Sequence, residues 1–265
     1  MDAPYVLAMA RQAAWTPLSE ASLFAHYDMS QYVLDGSVVS QWTDQGPHAK
    51  HAIRAYGSDS WRPPIIADAG DGKTAIDFRV GTYGKALASP WTAEELRWLH
   101  DGSSSWTVAF NLNLIAPDAS AYYPIVSSGG YAGSGNAGIV VFAFPSSYSW
   151  VLRVSYTDGA TIVHLFNTLV SSPENAHYLA TFDPAASPKA VLYRNGSEVA
   201  DWNGSVPSAA LLGLSNGLVL GKFSATTEYV DGNWYGRFLT IYAESIRDLS
   251  VIGNHVEWAH AQEYV

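Results

Sequence analysis

Three stretches of the chain place flat aromatic rings beside amide or carboxylate side chains, the mixture that binds sugars. The apolar face of a pyranose stacks on a ring while Asn and Asp bond its hydroxyls. The first stretch holds Tyr122-Tyr123 with Tyr131 and Asn136, the second Trp202 with Asp201 and Asn203, and the third Tyr229 with Asp231 and Asn233. The candidate carbohydrate-binding residues are therefore Tyr131, Asn136, Trp202, Asn203, Tyr229, Asp231 and Asn233. Spacing alone does not choose among these loops.

Bond cleavage finds less support. Glycoside hydrolysis needs two carboxyl groups set across the scissile bond. Glu94-Glu95 open a helix, where they favour its dipole and cap, and Glu257 and Glu263 belong to a last helix. There is no Gly-x-Ser-x-Gly. His48 and His51 lie three apart in a loop, and His255 and His260 five apart on a helix; neither spacing makes a metal pair. Each His is expected to be structural or on the surface. The chain reads as a binding protein rather than an enzyme.

Composition narrows the partners. The formal charge is -10, from 14 basic and 24 acidic side chains without a basic run, so nucleic acid and anionic membranes are poor partners. Charged residues are only 14% and apolar ones 48%, which allows a large core within one domain. Cysteine is absent, so no disulfide framework or thiolate metal site exists. The start, MDAPYVLAMARQ, carries an acid where a secretory signal needs positive charge. No apolar run reaches membrane-spanning length. The expectation is a soluble protein made without a Sec signal and not inserted in a membrane.

Strands must position the rings. Trp106, Val108, Phe110, Leu112 and Leu114 alternate with Thr107, Asn111 and Asn113, predicting a strand with one face on the core and the other on water. Trp150 to Tyr156 and Ile162 to Phe166 form a hairpin around Thr157-Asp158-Gly159. Asn195-Gly196, Asn203-Gly204 and Asn216-Gly217 supply the positive φ values of tight hairpin turns. Thr92 and Glu95 have capping-box spacing for a short helix to about His100. Ser250 caps a last helix that turns Ile252, Val256 and Ala259 to the sheets. Residues 1 to 22 read as an arm, with Asp2 capping a short helix and Pro17 breaking it. That arm either packs on its own domain or docks on a neighbouring subunit.

The order of these pieces resembles the laminin-G-like domains of the concanavalin A-like lectin and glucanase superfamily. His26-Tyr-Asp-Met-Ser30 with Val39-Ser-Gln-Trp-Thr-Asp44-Gln-Gly46 is similar to that family's opening, and Gly72 to Phe78 to its next strand. Trp106 to Leu112 resembles an aromatic-Thr-hydrophobic strand. Thr181-Phe-Asp183 with Val191-Leu-Tyr-Arg-Asn195-Gly196 resembles the Asp…Leu-Tyr-x-Asn-Gly hairpin, and Leu218 to Gly221 and Gly236 to Tyr242 its closing strands. The similarity covers residues 23 to 262 and leaves the arm unmatched. It implies an all-β fold, a two-sheet antiparallel jelly-roll sandwich over residues 23 to 265, with a C-terminal helix and Trp234 in the core.

That fold hosts lectins, adhesion modules and hydrolases, so function rests on the site. The Glu-x-Asp-x-x-Glu strand of the family's glucanases is missing here. Laminin-G-like domains often bind calcium through an Asp and loop carbonyls, which makes Asp158, Asp183 and Asp231 the candidates for an optional calcium ion. Members also occur on virion fibres and spikes. The resemblance therefore implies a non-catalytic carbohydrate-binding adhesion domain, a spike or fibre component of a phage or phage-like particle that contacts host polysaccharide. Its other partners would be particle structural proteins, held through the arm, and further copies of itself. The alternatives are a purely structural virion decoration protein and a polysaccharide-degrading glycoside hydrolase.

Overall fold

Alternating apolar residues and Gly-containing reversals do produce an almost wholly β protein. The computed structural model describes residues 15–54, 62–78, 85–92, 94–100, 102–114, 123–128, 137–146, 149–158, 162–170, 174–206, 217–221 and 234–265. The strands are β1 (Leu23–Asp35), β2 (Val38–Asp44), β3 (Ala52–Arg54), β4 (Ile65–Ile66), β5 (Ala75–Asp77) and β6 (Leu87–Ser89). They continue with β7 (Trp106–Leu114), β8 (Tyr123–Ser127), β9 (Ala137–Ser146), β10 (Ser149–Asp158), β11 (Ile162–Val170) and β12 (Glu174–Phe182). The last are β13 (Ala190–Arg194), β14 (Ser197–Trp202), β15 (Leu218–Leu220), β16 (Tyr235–Gly236) and β17 (Phe238–Tyr242). Helix α1 (Arg97–His100) precedes β7 and helix α2 (Leu249–Ala261) follows β17. No described helix is long and apolar enough to cross a membrane.

The large antiparallel sheet runs β11-β10-β9-β8-β15-β6-β3-β2-β1-β17-β7-β12-β13-β14, and β16-β5-β4 make a small one. The large sheet bends through β1, β2 and β3 into two layers. Its terminal strands β11 and β14 come alongside each other. Between the layers lies the main core, where Val108, Phe110, Tyr178, Leu192 and Ile241 meet Leu87, Ile125, Val141, Phe166 and Leu220. Trp234 belongs to this core as expected, stacked on Phe78 at 4.7 Å with Nε1 donating to Asn111 O at 3.1 Å.

The outer face of β7 departs from expectation. Thr107, Asn111 and Asn113 are buried, not wet. Helix α2 covers that side, packing Ile252, Trp258 and Ala259 over Ala109, Leu179, Phe238 and Tyr242. Thr107 and Asn111 are satisfied by chain segments instead of solvent, whereas Asn113 Nδ2 is buried without a hydrogen-bond partner. Thr107 Oγ1 donates to Glu244 O at 2.8 Å, and Asn111 Oδ1 accepts from the amides of Arg237 at 2.7 Å and Phe238 at 3.2 Å.

Two further local expectations change. The cap of α2 is Asp248, not Ser250; its carboxylate accepts from the Ser250 amide at 2.8 Å. The helix buries Ile252, His255, Trp258 and Ala259, while Val256 is half-buried at its margin. Asn195-Gly196 forms the expected turn, with φ of 48° and 80°. Asn203-Gly204 does not: β14 ends at Trp202 and the chain leaves the sheet. Thr92 and Glu95 make the expected box, 2.8 Å from Thr92 N to Glu95 Oε2 and 3.2 Å from Glu95 N to Thr92 Oγ1.

Within the arm, residues 1–14 lie outside the described residues, and with them the expected Asp2 cap. Trp15 sits against His255 of α2, ring centroids 5.4 Å apart, and Pro17–Ser19 form one 3-10 turn before β1. The later part of residues 1 to 22 thus packs on its own domain.

One backbone position gives a sharp test of this packing. Gly221 has φ +78°, and a Cβ there would lie 2.3 Å from Phe78 Cδ1 and 2.6 Å from Lys85 O. Gly221→Ala is expected to cost about 3 kcal/mol, combining positive-φ strain with overpacking. Urea denaturation would show it as a lowered midpoint with an unchanged slope.

Candidate functional site

Strand register decides which loops can share a site. Leu23 pairs with Tyr242, Tyr242 with Thr107, Thr107 with Thr181, Thr181 with Val191 and Val191 with Asp201. These residues form one end of the sandwich, which we call the Trp202 rim. In the facing layer Leu218 pairs with Ser89, Val219 with Ser127, and Ser127 with Val140, so the residues flanking segment 129–136 belong to the same rim.

Trp202 is the described candidate at this rim. It closes β14 half-buried, with its ring partly packed on the main core. Gly204 lies directly on the indole: a Cβ there would be 2.5 Å from Cζ2 and 2.8 Å from Cε2. Glycine is needed for this close approach, not for a turn. Asn203 is exposed beside the ring, its Nδ2 donating to Ser187 Oγ at 3.2 Å. Asp201 is exposed too, but strand alternation turns it to the other face of β14. The amide follows the ring directly in the chain, whereas the carboxylate faces away from it.

Tyr131, Asn136, Tyr229, Asp231 and Asn233 lie outside the described residues, as does Tyr122. Tyr123 starts β8, at the far end of that strand from Ser127. Gly221 and Trp234, which flank the third stretch, also lie away from the Trp202 rim, Trp234 against β7 at Asn111.

Charged groups near the rim are engaged structurally. Asp44 accepts from the amides of His26 at 3.0 Å, Gly46 at 2.8 Å and Lys50 at 2.9 Å, which pins the loop after β2. Glu95 pairs with Lys50 at 2.8 Å. The Lys50 ammonium, then the Thr92 amide and hydroxyl, push its carboxyl down to about 2. For calcium, Asp231 lies outside the described residues, and of Asp158 only the backbone is described. Asp183 Oδ1 accepts from Ala185 N at 2.9 Å, the bond of a turn carboxylate. Among the described residues no three carboxylate or imidazole side chains form a metal-binding group.

The structure also assembles an aromatic patch absent from the sequence reading. Phe24 stacks on Trp91 at 4.2 Å and meets Trp98 edge-on at 4.9 Å and His48 at 5.2 Å. Its four members come from three separate segments, so spacing offers no signal for it. His255, expected to be structural or on the surface, is fully buried, with its Nδ1 2.9 Å from His177 Nε2.

Comparison with known proteins supports the fold. No family model matches the chain, and no curated protein matches its sequence. Among solved structures, Trypanosoma rangeli sialidase bound covalently to 2,3-difluorosialic acid is similar over 89% of this chain and 33% of its own, with 15% identity and a TM-score of 0.58. The receptor-binding domain of botulinum neurotoxin type G is similar over 90% of this chain and 51% of its own, at 10% identity and a TM-score of 0.54. Botulinum neurotoxin type C, which gains access to cells through interaction with two ganglioside molecules, is similar over 88% and 50%, at 9% identity and a TM-score of 0.55. The chain spans about a third of the sialidase and about half of the toxin chains. These likenesses support a β-sandwich fold.

Proposed function

We propose that this chain is a non-catalytic carbohydrate-binding domain that holds glycan at the Trp202 rim. The observation that carries the reading is the half-buried Trp202 ring, backed by the Gly204 backbone and flanked by the exposed Asn203 amide. A ring fixed from behind loses little freedom on binding, and an amide beside it orients the sugar. Receptor binding and ganglioside interaction among proteins of similar fold agree with this.

A catalytic role finds no comparable support. Glycosidases need one carboxyl pushed up to act as an acid. The described carboxyls with displaced values go the other way. Burial pushes Asp28 and Asp71 up, but bonds from His26 and Arg237 respectively outweigh it and hold both low. Glu95 and Asp248 are lowered by hydrogen bonds.

The finer reading is a spike or fibre domain of a phage or phage-like particle, attached through residues 1 to 22 and contacting host polysaccharide in repeated copies. Trp15 links that arm to α2, so tension on it enters the domain through a packed contact. Single-site affinity would be modest and copy number would supply avidity.

Trp202→Ala is expected to weaken glycan binding at least about tenfold, the loss of one stacking contact with its desolvated surroundings. A glycan array probed with multivalent wild-type and variant protein checks this. Wild-type protein that ignores every glycan, or a variant that binds as well as wild type, would remove the reading.

A further inference from the structure

The aromatic patch around Phe24 lies on the same rim as Trp202 but on the opposite flank of its sheet. Five strand-to-strand steps separate Leu23 from Asp201, about 24 Å along the sheet. Phe24 and Trp91, stacked and buried, form its floor. His48 is exposed and Trp98 half-buried, and these two rise around the floor. His48 meets Trp91 edge-on at 5.3 Å, and the Lys50 ammonium sits 5.3 Å from the Trp91 ring centroid. Next to the patch is a depression of about 300 Å³ bounded by Leu18, Glu20, Gln45 and Pro47.

The patch is rigid for reasons that lie in the chain. Asp44 holds the 45–50 loop through three amides. Gly46 lets that loop rest on β1, where a Cβ would be 2.9 Å from Asp44 Oδ1 and 3.1 Å from Phe24 O. Lys50 pairs with Glu95, while the Glu20 carboxylate keeps its charge and accepts from the neutral Trp15 Nε1 at 2.6 Å. A preformed surface of ring edges, with a carboxylate beside it that can accept from hydroxyls, favours a polyhydroxylated ligand over an anion.

We propose that His48 and Trp98 form a second subsite, which binds another stretch of the same polysaccharide that Trp202 holds. The inference rests on the carbohydrate-binding reading above. Two subsites on one rim turn the second contact into an intramolecular event, so affinity rises steeply once a fragment is long enough to reach both. The preferred ligand is then an extended polymer rather than a terminal sugar.

The experiment compares wild type, His48→Ala and Trp202→Ala on a glycan array, then on short and long fragments of the best-bound polymer. His48 is exposed, so its replacement should leave the melting temperature unchanged; Trp98→Leu serves as a second probe of the same subsite. The expected result is that His48→Ala binds short fragments as wild type does at Trp202 but loses at least about tenfold on long ones. Equal long-fragment affinity in wild type, His48→Ala and Trp98→Leu overturns the subsite while leaving the Trp202 reading intact. Binding lost in His48→Ala yet untouched in Trp202→Ala refutes the Trp202 site and overturns the two-subsite proposal with it. A dimer that dissolves on His48→Ala, with glycan binding unaltered, assigns the patch to a second copy and overturns the proposal. Absence of any array signal refutes the carbohydrate reading and the subsite with it.

Discussion

Acidification from pH 7 to pH 4 is expected to loosen α2 and lower global stability by several kcal/mol. His177 and His255 lie fully buried between the helix and β12, Nε2 to Nδ1 at 2.9 Å. Burial first, then the charge of His260, pushes the His177 pKa down to about 3; burial, then His177 and His26, pushes that of His255 well below its ordinary value. Above pH 6.5 both rings are neutral, folded or unfolded, and acid costs nothing. Between 6.5 and 3 the unfolded chain takes up protons that folded His177 refuses, so stability falls by roughly 1 kcal/mol per pH unit for each such ring. Below about 3 the folded His177 ring protonates too and its contribution to the slope ends. Asp28 and Asp71, held low, lose their contributions only below the ordinary carboxylate range, so the higher window belongs to the imidazoles. Urea midpoints at pH 7, 5.5 and 4.5 measure the slope, and His177→Gln with His255→Gln should flatten it. Identical wild-type midpoints at pH 7 and 4.5 would refute the account.

The pair also carries an intrinsic cost. Whichever ring donates, the accepting ring carries its own N–H on the outward nitrogen. His177 Nδ1 and His255 Nε2 both lack a protein partner, so either tautomer buries one unsatisfied N–H. Hydrophobic replacement of both rings is therefore less damaging than replacement of one.

Asp71→Ala is expected to cost about 3 kcal/mol, the largest loss from a partly exposed residue. Arg237 is fully buried, and Asp71 grips it with Oδ1 at 2.6 Å and Oδ2 at 2.8 Å. The same guanidinium donates to Thr74 O at 3.2 Å and Tyr264 O at 3.3 Å, joining the turn before β5 to the end of the chain. Removing the carboxylate strands a cation in the interior. The Asp71 side chain is 23% exposed, so water tempers the penalty. Adding Arg237→Met removes the stranded charge, and the double variant should be more stable than Asp71→Ala alone. Thermal melts of the two singles and the double would test that ordering; a double variant less stable than Asp71→Ala would contradict it.

Local features were legible in the sequence. The alternation of β7, the Asn195-Gly196 turn, the Thr92 to Glu95 box and the place of Trp234 all follow from short-range chemistry. Long-range features were not. Nothing near residue 177 points to residue 255, because their meeting depends on α2 folding back across the sheet. For the same reason Thr107, Asn111 and Asn113 looked solvated: a strand's pattern records polarity but not what covers it. Asn203-Gly204 misled because glycine there serves the neighbouring indole rather than a reversal. His48 and Trp98 escaped notice because their site is made by loops adjacent in space only.

The meeting of β11 and β14 bears on behaviour at high density. An open ladder of backbone amides invites strand addition from a neighbour and, with it, fibre growth. Here the two flanks of the large sheet shield one another. Many copies could therefore crowd side by side without knitting together, which any multivalent array of such units demands.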